Sequence, residues 1–231
     1  MNIAFLVEGT TELRLYPKWI HYFSKTPLME CTTGYQDVVA NQFTIFNVQG
    51  LFNMKRQIQA AITDIRRNPV FDYLVVVVDA DDNNITNSTE LVQDILNDPA
   101  TLPLPVHCKF KIIVQQVCIE TWFIGHSEYF LAAKSCGDRG ISRSMSEYDA
   151  LNEDPALMPN QRASAVHSIG AYHADFLKKM LNGANRKWRY SKTTAHLLID
   201  MPYLQRLEQR LIETPTHLQS FSNMILFLKS L

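Results

Sequence analysis

The segment FDYLVVVVDADD, residues 71–82, decides the fold class of this 231-residue chain. Its apolar part, Tyr73–Val78, is mostly valine and shows no alternation between apolar and polar side chains. Such a strand is buried on both faces, which is typical of a parallel sheet covered by helices. Three acids, Asp79, Asp81 and Asp82, follow the run directly. The segment therefore predicts a buried parallel strand that ends in acidic side chains.

Strand and helix patterns alternate on both sides of this segment. Further apolar runs predict strands at Asn2–Val7, Phe43–Val48 and Phe110–Val117. Helices are predicted from Thr10 or Thr11 to a kink or end near Pro17, over Leu51–Arg67, from Ser88 to Leu96, and from Glu120 to Leu131. The order of these elements predicts an α/β fold with a parallel sheet flanked by helices.

The composition changes after Ala133. Residues 134–161 are rich in Ser, Gly, Asp and Asn and predict a long loop or a mobile insertion, whereas residues 163–181 and 201–231 have helical patterns. Residues 1–133 hold 9 Lys and Arg against 14 Asp and Glu, and residues 134–231 hold 13 against 9. We predict a metal-binding domain over 1–133 and a basic, mostly helical region over 134–231, although sampling noise could also produce these imbalances.

Composition excludes several classes of protein. Hydrophobic residues make up 46% and charged residues 19%, as in ordinary globular proteins. No apolar run approaches the ~20 residues of a membrane span, and MNIAFLVEG lacks the basic start of a signal peptide. The four cysteines have no CxxC spacing, which argues against a zinc site or a disulfide framework. We expect a cytoplasmic protein without a membrane partner, whose oligomeric state the sequence leaves undetermined.

Acidic residues also follow the first predicted strand, in VEGTTE at residues 7–12. Glu8 and Glu12 could face each other if Gly9 lets the chain turn into the helix. Asp79 and Asp81 would point to one side in an extended chain, since side chains alternate along a strand. Carboxylates that meet at the carboxyl edge of a parallel sheet repel one another, and Mg²⁺ or Mn²⁺ would relieve that repulsion.

Each acid alone has a simpler explanation. Acids after strands often begin a turn, which also suits Asp82 beside Asn83 and Asn84. Glu12 could be an ordinary first-turn acid that the helix dipole favours. The two acidic motifs together, about 70 residues apart, indicate a metal site more strongly than either does alone.

The pair VEGTTE and VVVVDADD resembles the Toprim domain, the topoisomerase–primase fold. The resemblance covers about residues 1–130 and implies a compact parallel sheet whose acids hold one or two Mg²⁺ ions. It implies that Glu8, Glu12, Asp79 and Asp81 are metal ligands, and that Glu8 is also a general acid or base in phosphodiester chemistry. The second acid, Glu12, is similar to the pattern in OLD-type nucleases, where such acids hold two metals and act in catalysis.

A further acid is suggested by IETWFIG at residues 119–125, which resembles a segment of small bacterial Toprim-like proteins. On that likeness Glu120 is another metal ligand, and an acid at a helix N-terminus explains it equally well.

The basic segment NRKWRYSK, residues 185–192, interleaves cations with Trp188 and Tyr190. Basic groups neutralise phosphates and aromatic faces stack on bases, so we predict nucleic-acid binding by Arg186, Lys187, Arg189 and Lys192. Lys192 could alternatively stabilise the charge of a phosphoryl transition state, as a lysine does in OLD-type nucleases. A solvated basic face with Trp188 in the core is the structural alternative.

These motifs together predict a Mg²⁺-dependent endonuclease that acts on DNA or RNA. The sequence shows no GxxxxGK[ST] motif, no topoisomerase tyrosine context and no primase zinc module, so an ATPase or sensor subunit would be a separate partner. The resemblance further implies the effector of a bacterial anti-phage defence system. Two alternatives stay open: a non-catalytic module that binds nucleic acid or a partner, and a small-molecule phosphotransferase or phosphatase. The first strand lacks the nucleophilic aspartate of such phosphatases.

Overall fold

The computed structural model of the protein describes residues 1–161, 168–185 and 189–231. It shows the predicted α/β fold, in which a five-stranded parallel sheet is flanked by helices and followed by a mostly helical region. The strands are β1 (Asn2–Val7), β2 (Met29–Glu30), β3 (Gln42–Asn47), β4 (Tyr73–Asp79) and β5 (Lys109–Gln115). Of these five strands, the two-residue strand β2 is the one that the sequence analysis does not predict.

Helices follow most of the strands and fill the C-terminal part. Those before residue 116 are α1 (Thr10–Phe23), α2 (Leu51–Arg67) and α3 (Ile85–Asn97). The later ones are α4 (Ile119–Ile124), α5 (Ser127–Lys134), α6 (Arg139–Glu147), α7 (Ile169–Ala184), α8 (Ala195–Leu198), α9 (Met201–Glu213) and α10 (Gln219–Lys229). None of the helices described is long and apolar enough to cross a membrane.

The chain forms two compact units. The sheet unit comprises residues 1–79, 85–115 and 223–231, and the helical unit comprises residues 80–84 and 116–222. The predicted division between a metal-binding domain over 1–133 and a basic, mostly helical region over 134–231 stays a prediction.

The sheet has the strand order β2-β3-β1-β4-β5, and every neighbouring pair is parallel. The central strand β1 is buried at every residue, and β4 is buried from Leu74 to Val78. This confirms the two-sided burial that the valine run predicted. The carboxyl ends of all five strands therefore lie at one edge of the sheet. At the outer edge, β5 exposes Lys109 and Lys111.

Helix α1 differs from its prediction, because it continues through Pro17 to Phe23 and is preceded by Gly9 as its N-cap. The buried side chains of Tyr16 and Trp19 hold the helix on both sides of the proline. The Tyr16 ring also packs edge-on against Phe5 of β1 at 6.2 Å. Packing of an apolar face thus outweighs the hydrogen bond that a proline removes.

Two predictions for the helical unit are wrong. The single helix expected from Glu120 to Leu131 is broken between α4 and α5, where the His126 side chain caps α5 by accepting from the Tyr129 N–H at 3.3 Å. The expected loop over 134–161 contains helix α6, which begins because Asp138 accepts hydrogen bonds from the N–H groups of Gly140 and Ile141. Local caps therefore set these helix boundaries.

A buried histidine joins three segments of the helical unit. His173 of α7 is 0% exposed, its Nδ1 lies 2.8 Å from Thr121 Oγ1, and its Nε2 lies 3.0 Å from the Met158 carbonyl oxygen. A carbonyl only accepts, so Nε2 carries the proton and Nδ1 accepts from the threonine hydroxyl. Burial lowers the pKa of His173 to about 4, which keeps the ring neutral.

Candidate functional site

Glu8 and Asp79 lie side by side at the carboxyl edge of the sheet. Glu8 follows β1, and Asp79 is the last residue of the neighbouring strand β4. The Asp79 backbone N–H donates to Glu8 Oε2 at 2.9 Å, which fixes the position of that carboxylate. The carbonyl oxygen of Glu8 accepts from the Gly50 N–H at 3.2 Å. The carboxyl ends of β1 and β4 and the loop that follows β3 therefore meet at Glu8.

Glu12 lies in the first turn of α1 and is only 3% exposed. Its carboxylate folds back over Gly9, because a Cβ atom added at that glycine would come 2.9 Å from Glu12 Oε2. The conformation of Gly9 is extended, with φ of −134°, so its lack of a side chain matters here for space rather than for backbone freedom. A side chain at residue 9 would therefore displace the Glu12 carboxylate from its present position.

Tyr16 and Gln115 lie next to these acids, and the sequence did not identify either residue. Burial raises the pKa of Tyr16 well above its usual value, a hydrogen bond from Gln115 lowers it, and the charges of Glu12 and Asp79 raise it further. Gln115 Nε2 donates to the Tyr16 hydroxyl at 3.2 Å. Both carboxylates therefore act on one buried hydroxyl. The i,i+4 spacing of Glu12 and Tyr16 is the signal that could have indicated this contact.

The second half of the DxD motif does not have the predicted geometry. Asp81 has a left-handed backbone, with φ of 46°, so the chain is not extended there. The Asp81 N–H donates to the Val117 carbonyl at 2.8 Å, and a turn brings the Asn83 N–H to Ala80 O at the same distance. The argument that Asp79 and Asp81 share one side of a strand is therefore wrong, because the strand ends at Asp79.

Within the helical unit, Asp81 and Asp82 lie at the beginning of α7. Asp82 Oδ1 accepts from the Ile169 N–H at 3.2 Å. A Cβ atom added at Gly170 would come 2.5 Å from Asp81 Oδ1. Asp81 as a whole residue is exposed, and its carboxylate rests against this glycine. The first turn of α7 thus receives two acids, as the positive end of a helix dipole favours.

Glu120 and Lys192 act on the same aspartate. The pKa of Asp81 is raised, first by burial of its carboxylate and then by Asp82 and Glu120, while Lys192 opposes the shift. Glu120, in the first turn of α4, is 3% exposed and accepts a hydrogen bond of 2.9 Å from the Tyr190 hydroxyl. Two predicted site residues, Glu120 and Lys192, therefore lie within electrostatic reach of a third, Asp81.

No protein-family model, curated protein or solved structure matches the chain. The assignment established by the structure is therefore the α/β fold with its parallel sheet. The Toprim resemblance rests on the motifs VEGTTE and VVVVDADD.

The basic segment is described only in part. Arg186 and Lys187, like Trp188, lie outside the described residues. Arg189 is exposed and lines a cavity of about 510 Å³ with Cys136, Asp138 and Asn182. Tyr190 is only 6% exposed, so its ring is not available to stack on a base. Tyr190, the aromatic residue of this segment that the structure describes, instead donates its hydroxyl hydrogen bond to Glu120.

The donor atoms of the sheet unit suit a hard cation. Glu8, Glu12 and Asp79 provide carboxylate oxygens of the kind that Mg²⁺ prefers. Close by, Gln115 is 0% exposed, and its Oε1 accepts no hydrogen bond from any residue that the structure describes. Across residues 1–161, 168–185 and 189–231, however, no three His, Cys, Asp or Glu side chains are grouped closely enough to hold a metal ion. The metal ligands therefore stay a prediction.

Proposed function

We propose that the protein is a Toprim-like, Mg²⁺-dependent nuclease that hydrolyses phosphodiester bonds of DNA or RNA. The observation that carries the proposal is the Glu8–Asp79 pair at the ends of adjacent parallel strands, in which the Asp79 backbone N–H donates to the Glu8 carboxylate at 2.9 Å. Ligands in open parallel sheets bind outside the carboxyl ends of the strands, which is where this pair lies. The buried Glu12 adds a third carboxylate to the same edge.

The proposed ligands in the sheet unit are Glu8, Glu12 and Asp79. The ligand roles proposed for Asp81 and Glu120 depend on the family resemblance alone. One or two Mg²⁺ or Mn²⁺ ions would supply Lewis acidity, which makes water more acidic and stabilises a leaving oxygen. Gln115 Oε1 offers a further neutral oxygen beside the acids.

The side chains of the protein have separate roles in this proposal. The Glu8 carboxylate, held by the Asp79 N–H, takes a proton from the attacking water. Lys192 stabilises negative charge on the phosphoryl group, and Arg186, Lys187 and Arg189 bind the phosphate backbone of the substrate. The setting as an anti-phage effector in the cytoplasm, with a separate ATPase or sensor subunit, is part of the proposal and depends on the family resemblance.

A cleavage assay tests the proposal. Wild type, Glu8→Gln, Asp79→Asn and the control Glu90→Gln are incubated with plasmid DNA, single-stranded DNA and total RNA, in Mg²⁺, Mn²⁺ or EDTA. Glu90 is an exposed acid of α3 in the same unit. We expect metal-dependent cleavage by wild type and Glu90→Gln, and a loss of about 100-fold or more in the other two variants.

Two results would contradict the proposed nuclease activity. Cleavage that survives unchanged in Glu8→Gln and Asp79→Asn would show that another site or a contaminant is responsible. An absence of cleavage on every substrate, together with no binding of Mg²⁺ or Mn²⁺ by calorimetry, would favour a non-catalytic binding module.

A further inference from the structure

Phe52 is an aromatic side chain that the fold does not use. It is the second residue of α2 and is 99% exposed, so its ring makes almost no contact with the described protein. Burial of a phenylalanine ring stabilises a folded protein, and the chain forgoes that contribution here. A single exposed apolar residue is common, so the inference depends on where this ring lies.

The backbone fixes Phe52 beside the acidic edge of the sheet. The loop between β3 and α2 is anchored to β1, because the Val48 N–H donates to Val7 O at 2.8 Å and the Gly50 N–H donates to Glu8 O at 3.2 Å. Gln49 and Gly50 both have positive φ, of 60° and 93°, so the loop turns sharply into the helix. Phe52 therefore lies in the first turn of its helix, two residues after Gly50, which contacts Glu8 directly.

The neighbours of Phe52 on α2 are basic. Lys55 and Arg56 are three and four residues further along, which places them on the same helix face as Phe52. Both are exposed, and the first turn of the helix contains no acid. Lys55 Nζ pairs with Asp98 Oδ2 at 2.5 Å, whereas Arg56 makes no ion pair with any described residue. The N-terminus of this 17-residue helix adds partial positive charge.

We propose that Phe52 is a stacking platform for an unpaired base of single-stranded nucleic acid, and that Arg56 contacts an adjacent phosphate. An exposed ring flanked by cations is the arrangement that binds single strands with little sequence preference. Bases in a duplex are stacked on each other and do not offer a face to such a ring. The inference rests on the proposed function, whose substrate class it narrows to single-stranded DNA or RNA.

Binding measurements in EDTA test the platform without any cleavage. Fluorescence anisotropy is recorded for labelled single-stranded and duplex oligonucleotides with wild type, Phe52→Ala and Phe52→Tyr. Stacking of one base contributes about 1–3 kcal/mol, so Phe52→Ala should bind single strands about 5- to 150-fold more weakly. Phe52→Tyr should retain wild-type affinity, and duplex affinity should not change.

A matched control and a charge variant complete the experiment. Val106 is a fully exposed apolar side chain of the same unit. It lies three residues before β5, near the amino ends of the strands, whereas the acids lie at the carboxyl ends. Val106→Ala should leave single-strand affinity unchanged. Arg56→Gln should weaken single-strand binding and reduce the slope of log affinity against log salt by about 0.7.

Several outcomes would overturn the inference. These are no single-strand binding by wild type, wild-type affinity in Phe52→Ala, or an equal loss of affinity for duplex and single strands. A change in particle mass between wild type and Phe52→Ala by light scattering, without a change in single-strand affinity, would assign the ring to a protein interface. Failure of the proposed function is distinguishable, because wild type would then bind single strands through Phe52 and cleave none of them.

Discussion

The carboxylate of Glu12 occupies the space that a methyl group on Gly9 would need, since a Cβ atom there would lie 2.9 Å from Glu12 Oε2. Gly9→Ala should therefore displace a buried carboxylate. We expect a decrease of about 1–3 kcal/mol in the free energy of unfolding, because the site is closely packed. Cleavage activity should fall at least tenfold if Glu12 takes part in it.

Urea denaturation of the double variant separates this contact from a general effect of alanine. In a Glu12→Ala background, Gly9→Ala should lower the free energy of unfolding by less than about 0.5 kcal/mol. An equal cost in both backgrounds would show that the Glu12 side chain is not what excludes a Cβ atom from residue 9.

Gly170→Ala should move the Asp81 carboxylate, because the new Cβ atom would lie 2.5 Å from Asp81 Oδ1. The Asp81 carboxylate is partly buried, but the residue as a whole is exposed, so the side chain can rotate toward solvent. We expect the free energy of unfolding to change by less than about 1 kcal/mol. Cleavage should nevertheless decrease. Gly140→Ala is the matched control, since its Cβ atom would approach Asp138, which is not a proposed ligand, at 3.3 Å. Equal activities of the two variants would remove Asp81 from the proposed site.

Tyr190→Phe should destabilise the helical unit, because it removes the donor to the buried Glu120 Oε1. Hydrogen bonds to charged groups contribute about 1.5–3 kcal/mol, and we expect a loss of that size in urea denaturation. Tyr22→Phe, at an exposed tyrosine, is the control and should change stability by less than about 0.5 kcal/mol. A Tyr190→Phe variant as stable as wild type would contradict the role of this hydroxyl in holding Glu120.

Acid should destabilise the helical unit through His173. Its pKa is about 4 in the folded protein and about 6.5 when unfolded, so the neutral ring contributes stability that is complete above pH 6.5. That contribution falls as the pH decreases from 6.5 to 4, by about 3 kcal/mol in total. His126, whose pKa burial also lowers to about 4, adds to the same loss.

Urea denaturation between pH 7 and pH 4 measures this dependence. His173→Gln should be less stable than wild type at pH 7 and should lose less stability on acidification. His107→Gln, at an exposed histidine, should follow the wild-type profile. Parallel profiles for wild type and His173→Gln would contradict the prediction.

Much of the sheet unit could be predicted because burial there follows simple periodicities. The valine run of β4 and the helical spacing of α2 mark elements whose side chains face a core, and α2 begins and ends at the predicted residues. Glu8 and Asp79 could be placed together for the same reason, since parallel strands end at one edge.

The remaining features depend on contacts between residues far apart in the sequence. The turn at Asp81 is stabilised by a hydrogen bond to Val117, 36 residues later, so no local pattern indicates it. Helix α6 is an exception, because it lies in a polar stretch and begins at a local cap, Asp138, that the sequence analysis did not identify. Tyr190 is buried against Glu120, 70 residues away, although its basic neighbours predict exposure.

The two edge strands of the sheet, β2 and β5, are unsuited to pairing with a strand of another chain. On one side β2 has only two residues, and on the other β5 exposes Lys109 and Lys111. Short strands and lysine side chains at an edge prevent the backbone of a second chain from adding to a sheet. The hydrophobic strands β1 and β4 lie inside the sheet, between these two edges, so in the folded protein their backbones are not open to pairing with another chain.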